Sequence, residues 1–482
     1  MSILGHLQPQ GVFRFFEEIC GIPHGSHNLD QISDYLVNFA KERGLRYRQD
    51  EAKNVIIWKD GTHGYENSDP VILQGHMDMV AVKEADCAKD MTVEGLDLAI
   101  DGDLLLAKRT SLGGDDGIAV AYALAVLDDD TLEHPPLEVI ITTNEEVGLL
   151  GAAAIDVSDL KGRLFLNMDS EDEGVFTISC AGGLRADCSF GFEREVKKAA
   201  VLELRLDGFK GGHSGAEIHL GRANAIVALG RILLAERENP EVSLVSVSGG
   251  EADNAIAVFA DAALAVASDK VEQVIDTLKR SFDEIVQEYS SVDPDIRLTM
   301  KERGEKDVEV LTGNAASQVM AFLGLMPNGV QRMSPEVEGL VQTSLNPGIL
   351  ATQEKEICVS FSVRSSCETE KHALLNRLRV LTSLNGGCVD TYGDYPGWEY
   401  KADSRLREVM VEVYKQQYGE EPVVEGIHAG LECGLFAQKL AGLDAVSFGP
   451  QMQNIHTTRE RLSISSTQRT WELLCSTLKA LK

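Results

Sequence analysis

No apolar run in this sequence is long enough to span a membrane. Its first residues, MSILGHLQPQGVFRFFEEICGIP, lack the basic start and apolar core of a secretory signal. A cytoplasmic location is the expectation. Cysteine pairing motifs are also missing. The nine cysteines, an odd number, are scattered without one C-x-x-C, which fits reduced thiols and argues against a zinc site built from cysteines. Positive charge is scarce: 45 Lys and Arg face 76 Asp and Glu, a formal charge of −31. Such a surface repels phosphate backbones and anionic lipid, so neither nucleic acid nor a membrane is an expected partner. There is no P-loop, no dinucleotide fingerprint and no H-E-x-x-H helix. GGHSGA fails as a serine nucleophile elbow because Ala216 stands where that motif requires glycine.

What is present is enough chain for more than one core. At 482 residues and 44% hydrophobic content, two domains are expected. From Asn54 to Asp169 short β-rich runs (NVIIW, VILQ, LEVIITT, RLFLN) alternate with helical ones (GIAVAYALAVL, GLLGAAAI), which predicts an α/β domain around a buried sheet. After Ala181-Gly182-Gly183 the order becomes β-α-β-β-α-β, that of a small split sheet with helices on one face. A comparable order recurs between about Thr312 and Cys388, so this second domain reads as a doubled α+β unit. The α/β texture returns from Tyr395-Pro396-Gly397. We therefore expect a three-layer α/β/α domain over residues 1–187 and 391–482, interrupted by an inserted domain over 188–390.

Ligands of open α/β sheets gather beyond the carboxyl ends of strands, and five segments here place metal-competent side chains at such ends. VILQGHMDMV leads into His76, with Asp78 near enough to accept its other ring N–H. In SLGGDDGIAVAYALAVL, Asp115 or Asp116 opens an apolar helix, where a cap is the ordinary role; with two aspartates, one can bridge cations while the other caps. LEVIITTNEEVGLLGA sets Glu145 and Glu146 side by side after a buried strand, an arrangement that is costly unless a cation or shared proton offsets the repulsion. RLFLNMDSEDEG ends a strand at Asp169, and the acidic run that follows lacks the spacing of a calcium loop. DAVSFGPQMQNIHTTRERLSISS carries His456 in a polar loop, where a lone histidine is ordinarily just solvated. Together they supply imidazoles and carboxylates, a mixture that suits zinc or manganese better than calcium.

In order and spacing, GHMDMV, LGGDDG, TTNEEVG, NMDSEDEG and GPQMQNIHT closely resemble the motifs of co-catalytic di-zinc dipeptidases, aminoacylases and carboxypeptidases, and the likeness covers essentially the whole chain. The resemblance implies two zinc ions per subunit, replaceable by manganese or cobalt. His76 and Asp169 would bind one and Glu146 and His456 the other, with Asp115 bridging. It makes Asp78 the residue that orients His76 and Glu145 the general base. In the inserted domain, a lid and dimerisation module in that family, His213 of FKGGHSGAEIHLGRANA matches a histidine that stabilises the oxyanion, typically from the partner subunit of a homodimer. Asn254 of EADNAIA and Arg364 of SFSVRSS match residues that hold the substrate carboxylate. The implied substrates are dipeptides with a free N-terminus, β-alanyl-histidine among them; acylated amino acids or carboxypeptidase substrates are the alternative on the same site. A silent binding protein would have lost a ligand or the base, and none of the seven positions shows a loss.

Overall fold

Valine, isoleucine and leucine dominate VILQGH, LEVIIT, LFLN and DAVS, the composition of strands buried on both faces. In the computed structural model, which describes residues 2–312 and 314–482, these become strands Val71–His76, Leu137–Thr142, Leu164–Asn167 and Asp444–Ser447, buried along their whole length. They pair in parallel in the spatial order Leu137–Thr142, Val71–His76, Leu164–Asn167, Asp444–Ser447. Strands Val55–Lys59 and Arg46–Gln49 extend one side, and Val175–Cys180 and Val423–Ile427 the other, completing an eight-stranded sheet.

Strands buried on both faces need helices on both, which gives the three-layer α/β/α arrangement. Helix Gly114–Asp128 is apolar all round and buried from Gly114 to Leu127, as a helix wedged between a sheet and other helices must be. It packs on strand Val71–His76 and on helix Gln10–Cys20. Its Tyr122 stacks on Trp471 of the last helix, Ile464–Ala480, with ring centroids 6.2 Å apart. A small sheet of Met452–Gln453, Arg461–Ser463, Leu104–Ala107 and Leu98–Asp101 ties the loop around His456 to the chain ahead of Asp115.

The chain forms two units. One takes the residues up to Ser179 with Tyr400–Gly426 and Leu431–Lys482; the other takes Cys180–Glu399 and Ile427–Gly430. The second unit begins eight residues before the expected limit at 187/188 and runs nine beyond the one at 390/391, and the return of Ile427–Gly430 to it has no counterpart in the sequence pattern.

The second unit is antiparallel. Its sheet runs Arg297–Leu311, Arg194–Asp207, Ala260–Val266, Val242–Gly249, Val341–Thr352, Glu356–Ser365, Gly182–Gly191, Cys388–Tyr395, with Gly329–Met333 beside Val341–Thr352. The first four strands lie in the chain order fourth, first, third, second. Read from the opposite edge, the last four lie in that same order. The two halves meet where Ser248 and Gly249 pair with Ala351 and Leu350. The doubling is real in topology, and its second half opens with strand Gly182–Gly191, which precedes the whole first half in the chain. The reading that placed this half after Thr312 missed that strand. Among the described residues no helix is long and apolar enough to cross a membrane.

Phe322, on helix Ala315–Leu325, is fully buried in this unit's core, with ring centroids 4.6 Å from Phe190 and 6.3 Å from Phe361. Phe322→Ala is expected to cost about 3–5 kcal/mol of stability, read by urea denaturation, because the surrounding rings collapse only partly into the gap. A loss under about 1 kcal/mol would show that the core closes over it.

Candidate metal centre

The three adjacent parallel strands Leu137–Thr142, Val71–His76 and Leu164–Asn167 end at one edge, and the residues just past those ends build the site. His76 closes its strand and is buried. Its Nε2 lies 3.1 Å from Asp115 Oδ1, 3.6 Å from Asp169 Oδ1 and 3.9 Å from Glu145 Oε2. His456 Nε2 lies 3.0 Å from Asp115 Oδ2 and 3.0 Å from Glu146 Oε2. Asp115 therefore offers one oxygen to each histidine. The ligand atoms fall into overlapping groups, His76 with Glu145 and Glu146, His76 with Asp116 and Asp169, and Asp115 with Glu146 and His456, each within 4.8 Å. All belong to the first unit.

Local backbone geometry presents these side chains. Asn144 and His456, neither a glycine, sit at φ 51° and 60°, left-handed conformations that cost energy and tend to cluster at functional sites. The Asp78 carboxylate accepts the Glu145 amide N–H at 3.0 Å and the Ser26 hydroxyl at 2.8 Å. His76 Nδ1 meets the Asp78 main-chain carbonyl at 2.9 Å, while the carboxylate stands 3.6 Å away. Asp78 does adjoin both His76 and Glu145, yet it takes the imidazole proton through its backbone oxygen, and its carboxylate anchors Glu145.

The expectation that one of the two aspartates caps the helix needs correction. Asp115 and Asp116 both have non-helical backbone, and the helix has no side-chain cap from its own residues. Asp116 Oδ2 instead accepts the His76 amide N–H at 3.1 Å. Gly75 permits that approach, because a methyl group there would lie 2.5 Å from the same oxygen and 2.6 Å from Ala119 Cβ.

The electrostatics follow from crowding. Burial alone would lower the pKa of His76, but the carboxylates of Asp115 and Asp169 outweigh it and hold the imidazole well above its usual range. Asp115 and Glu146 raise His456 to about 10. Burial works to raise Asp115, yet the two histidines bring it below the usual carboxylate range. Burial, with the negative charge of Asp169 and Glu146 adding to it, pushes Glu145 up to about 9, and burial raises Asp169 and Asp116 as well. Five acidic groups this close and this buried cannot all ionise without positive charge among them. Glu146 Oε1 is buried with no hydrogen-bond partner, and the two imidazoles with facing carboxylates are the donor types that zinc-like divalent cations take.

A second polar layer lies beneath, and sequence reasoning did not find it. Glu432 is fully buried at the start of helix Glu432–Lys439 and accepts from Gln74 Nε2 and from Thr142 Oγ1, the latter at 2.6 Å. Gln74 Oε1 in turn accepts from Asn167 Nδ2 at 2.6 Å. One carboxylate thus links the three strand ends that carry His76, the Glu145-Glu146 pair and Asp169. Glu460, in a stretch that reads as surface charge, is buried against the segment around Asp115.

The other expected residues belong to the second unit. The His213 backbone pairs with Ala255, and the Ser214 amide donates to the Asn254 carbonyl at 2.8 Å. A methyl at Gly215 would stand 2.6 Å from the His428 carbonyl oxygen, 3.0 Å from His213 Cε1 and 3.2 Å from Arg364 Nε, so a glycine is required there. Arg364 is 6% exposed. Its Nη1 reaches Tyr395 Oη at 3.3 Å and its Nε has no partner. His428, held to Ser344 Oγ at 2.7 Å, was not singled out from the sequence.

Comparison with known proteins identifies the family. The profile of peptidase family M20/M25/M40 matches residues 72–480. The chain is 37% identical over 484 residues, 100% of this chain and 99% of the other, to the cytosol non-specific dipeptidase of Escherichia coli (strain K12). The crystal structure of aminoacylhistidine dipeptidase from Vibrio alginolyticus superposes with a TM-score of 0.95 at 36% identity, covering 99% of this chain and 98% of that one. The aminopeptidase PepT from Bacillus cereus shares the fold alone, at TM-score 0.56 and 15% identity over 98% of this chain and 99% of that one. With the family profile matched over most of its length and a relative 37% identical from end to end, the chain belongs to peptidase family M20/M25/M40.

Proposed function

We propose that this chain is a cytoplasmic, metal-dependent dipeptidase that hydrolyses dipeptides with a free N-terminus, Xaa-His dipeptides such as β-alanyl-histidine and broader ones. The observation that carries the reading is Asp115, whose two oxygens face two imidazoles at 3.1 and 3.0 Å in a chain similar from end to end to two dipeptidases. Two zinc ions per subunit, with manganese or cobalt able to substitute, suit this donor set. His76 and Asp169 would hold one, Glu146 and His456 the other, and Asp115 would bridge them. Bound there, the ions would supply Lewis acidity, acidifying water and polarising the scissile carbonyl.

The protein's own groups would do the rest. Glu145, anchored through its amide to Asp78, would take a proton from the attacking water and pass it to the leaving amine. Its base-competent anion is the form that nearby positive charge favours. His213 Nδ1 accepts the amide N–H groups of Gly215 and Ala216 at 3.2 and 2.9 Å, which leaves its ring proton on Nε2. Burial and the charge of Arg364 lower its pKa, so it stays a neutral N–H donor suited to a developing oxyanion. Arg364 is a buried guanidinium with donors to spare and another cation, Arg185, nearby. It calls for an anion, and with Asn254 it would bind the substrate's terminal carboxylate. The homodimer implied by the family resemblance belongs to this reading and is tested by sedimentation velocity. A monomer would require His213 to act within its own chain, where it already lies beside Arg364.

Glu145→Ala should lower kcat by about 10²–10⁴-fold while metal content by elemental analysis stays at the wild-type level; near-normal turnover in the metal-loaded variant would remove Glu145 from its role. Arg364→Ala should lower kcat/KM for dipeptides by about 10–100-fold, the value of one or two hydrogen bonds to a charged group, and should abolish discrimination against C-terminally amidated dipeptides. A panel of dipeptides, tripeptides and N-acetyl amino acids checks the substrate class, and preference for the acylated compounds would favour an aminoacylase. In the metal-free chain both histidines have raised pKa values and carry protons near neutral pH. They must lose them to ligate, so metal uptake should release protons, and affinity should rise with pH up to about 10, where His456 titrates. Calorimetry in buffers of differing ionisation enthalpy counts those protons, and uptake without release would contradict the assigned ligands.

A further inference from the structure

The loop bearing His456 spans the gap between strands Met452–Gln453 and Arg461–Ser463. Within it, Thr457 Oγ1 donates to the Asn454 carbonyl at 2.7 Å and accepts from the Arg459 amide at 3.1 Å. Its last residue, Glu460, is 3% exposed and makes a different kind of contact. Oε2 accepts the amide N–H groups of Leu112 and Gly113 at 2.7 and 3.1 Å, and Oε1 those of Gly114 and Asp115 at 2.8 and 3.4 Å. These donors lead into helix Gly114–Asp128, whose first turn has no cap from its own side chains, and an anion there also meets the positive end of the helix dipole. One carboxylate therefore grips the backbone that presents Asp115 while standing four residues after His456. The His456 Nε2 to Asp115 Oδ2 contact of 3.0 Å closes the ring.

We propose that Glu460 is a positioning residue for the metal centre. By fixing the Asp115 backbone to the His456 loop, it sets the distance between the shared carboxylate and the terminal imidazole, and with it the affinity of the half-site formed by Asp115, Glu146 and His456. This rests on the reading of Asp115 and His456 as metal ligands. The competing account is a helix cap that contributes to stability alone. Glu138 supplies the comparison: it is 4% exposed, and its two oxygens accept the amides of Lys161 and Gly162 at 3.1, 3.1 and 2.9 Å. It lies at the start of strand Leu137–Thr142, the end away from the site.

The test titrates the metal-free full-length protein with Zn²⁺ against a chromophoric chelator, and separately with Co²⁺ followed by its visible spectrum, alongside Tm. Glu460→Gln preserves shape but points an N–H donor at other N–H donors. It should weaken binding by about 10–100-fold, as loss of a group supporting metal ligands does, and should change the Co²⁺ spectrum. Glu138→Gln should lower Tm yet titrate like the wild type. Gly114→Ala is the milder probe, since its methyl would sit 3.3 Å from Glu460 Oε1 and 3.1 Å from Met452 Sδ; it should weaken binding in the same direction by a smaller factor, and it decides the matter if Glu460→Gln does not fold. Wild-type protein that takes up no metal would overturn the ligand reading itself. Wild-type uptake with unchanged affinity and spectrum in both Glu460→Gln and Gly114→Ala would overturn the role of Glu460 alone.

Discussion

Asp115, Asp116, Glu145, Glu146 and Asp169 share a site with two imidazoles, and most of the arrangement around it follows from the repulsion among these acids. Carboxylates withdrawn from water repel one another more strongly than in solution, and each loses hydration. The chain offsets part of this with imidazoles set against Asp115, Asp169 and Glu146 and with the His76 amide N–H directed at Asp116. What is left is a demand for positive charge between Asp115 and its neighbours, of the kind a divalent cation meets.

The second unit poses the opposite demand. Arg364 is a cation almost removed from water, beside Arg185, and it donates to the Tyr395 hydroxyl. Burial of a charge so poorly paired is costly. One unit thus crowds buried carboxylates around two imidazoles, and the other buries a poorly paired guanidinium. The doubled sheet bears on this, because its two like halves meet through Val242–Gly249 and Val341–Thr352, and residues from both, His213 and Arg364, come together around Gly215.

Beneath the candidate ligands lies a layer of buried polar side chains. Glu432, Gln74, Thr142 and Asn167 cross-link three strand ends, Asp78 anchors Glu145, and Glu460 clasps the segment that carries Asp115. Side chains with both ends bonded cannot drift, and ligand atoms fixed before a cation arrives bind it without ordering cost.

How much of this could be read from the chain depends on the range of the forces involved. His76, Glu146 and Asp169 were legible as candidates because each lies at or within a few residues of the end of a strand whose apolar run is visible in the sequence, and because α/β sheets gather ligands at those ends. The α/β class, the change of texture near Gly182 and the repeated β-α-β-β-α-β order rest on the same short-range periodicity. It could not decide between Asp115 and Asp116, since both lie among the same glycines; only packing turned one towards the histidines and the other towards the His76 amide. Nor could it expose Glu432 and Glu460, whose partners lie 290 to 358 residues away in the chain. The same holds for strand Gly182–Gly191, separated from its own half of the sheet by the other half. A hydrogen bond between a side chain and a remote backbone leaves no periodic trace in the sequence, because its geometry exists only once the strands and helices have been packed against one another.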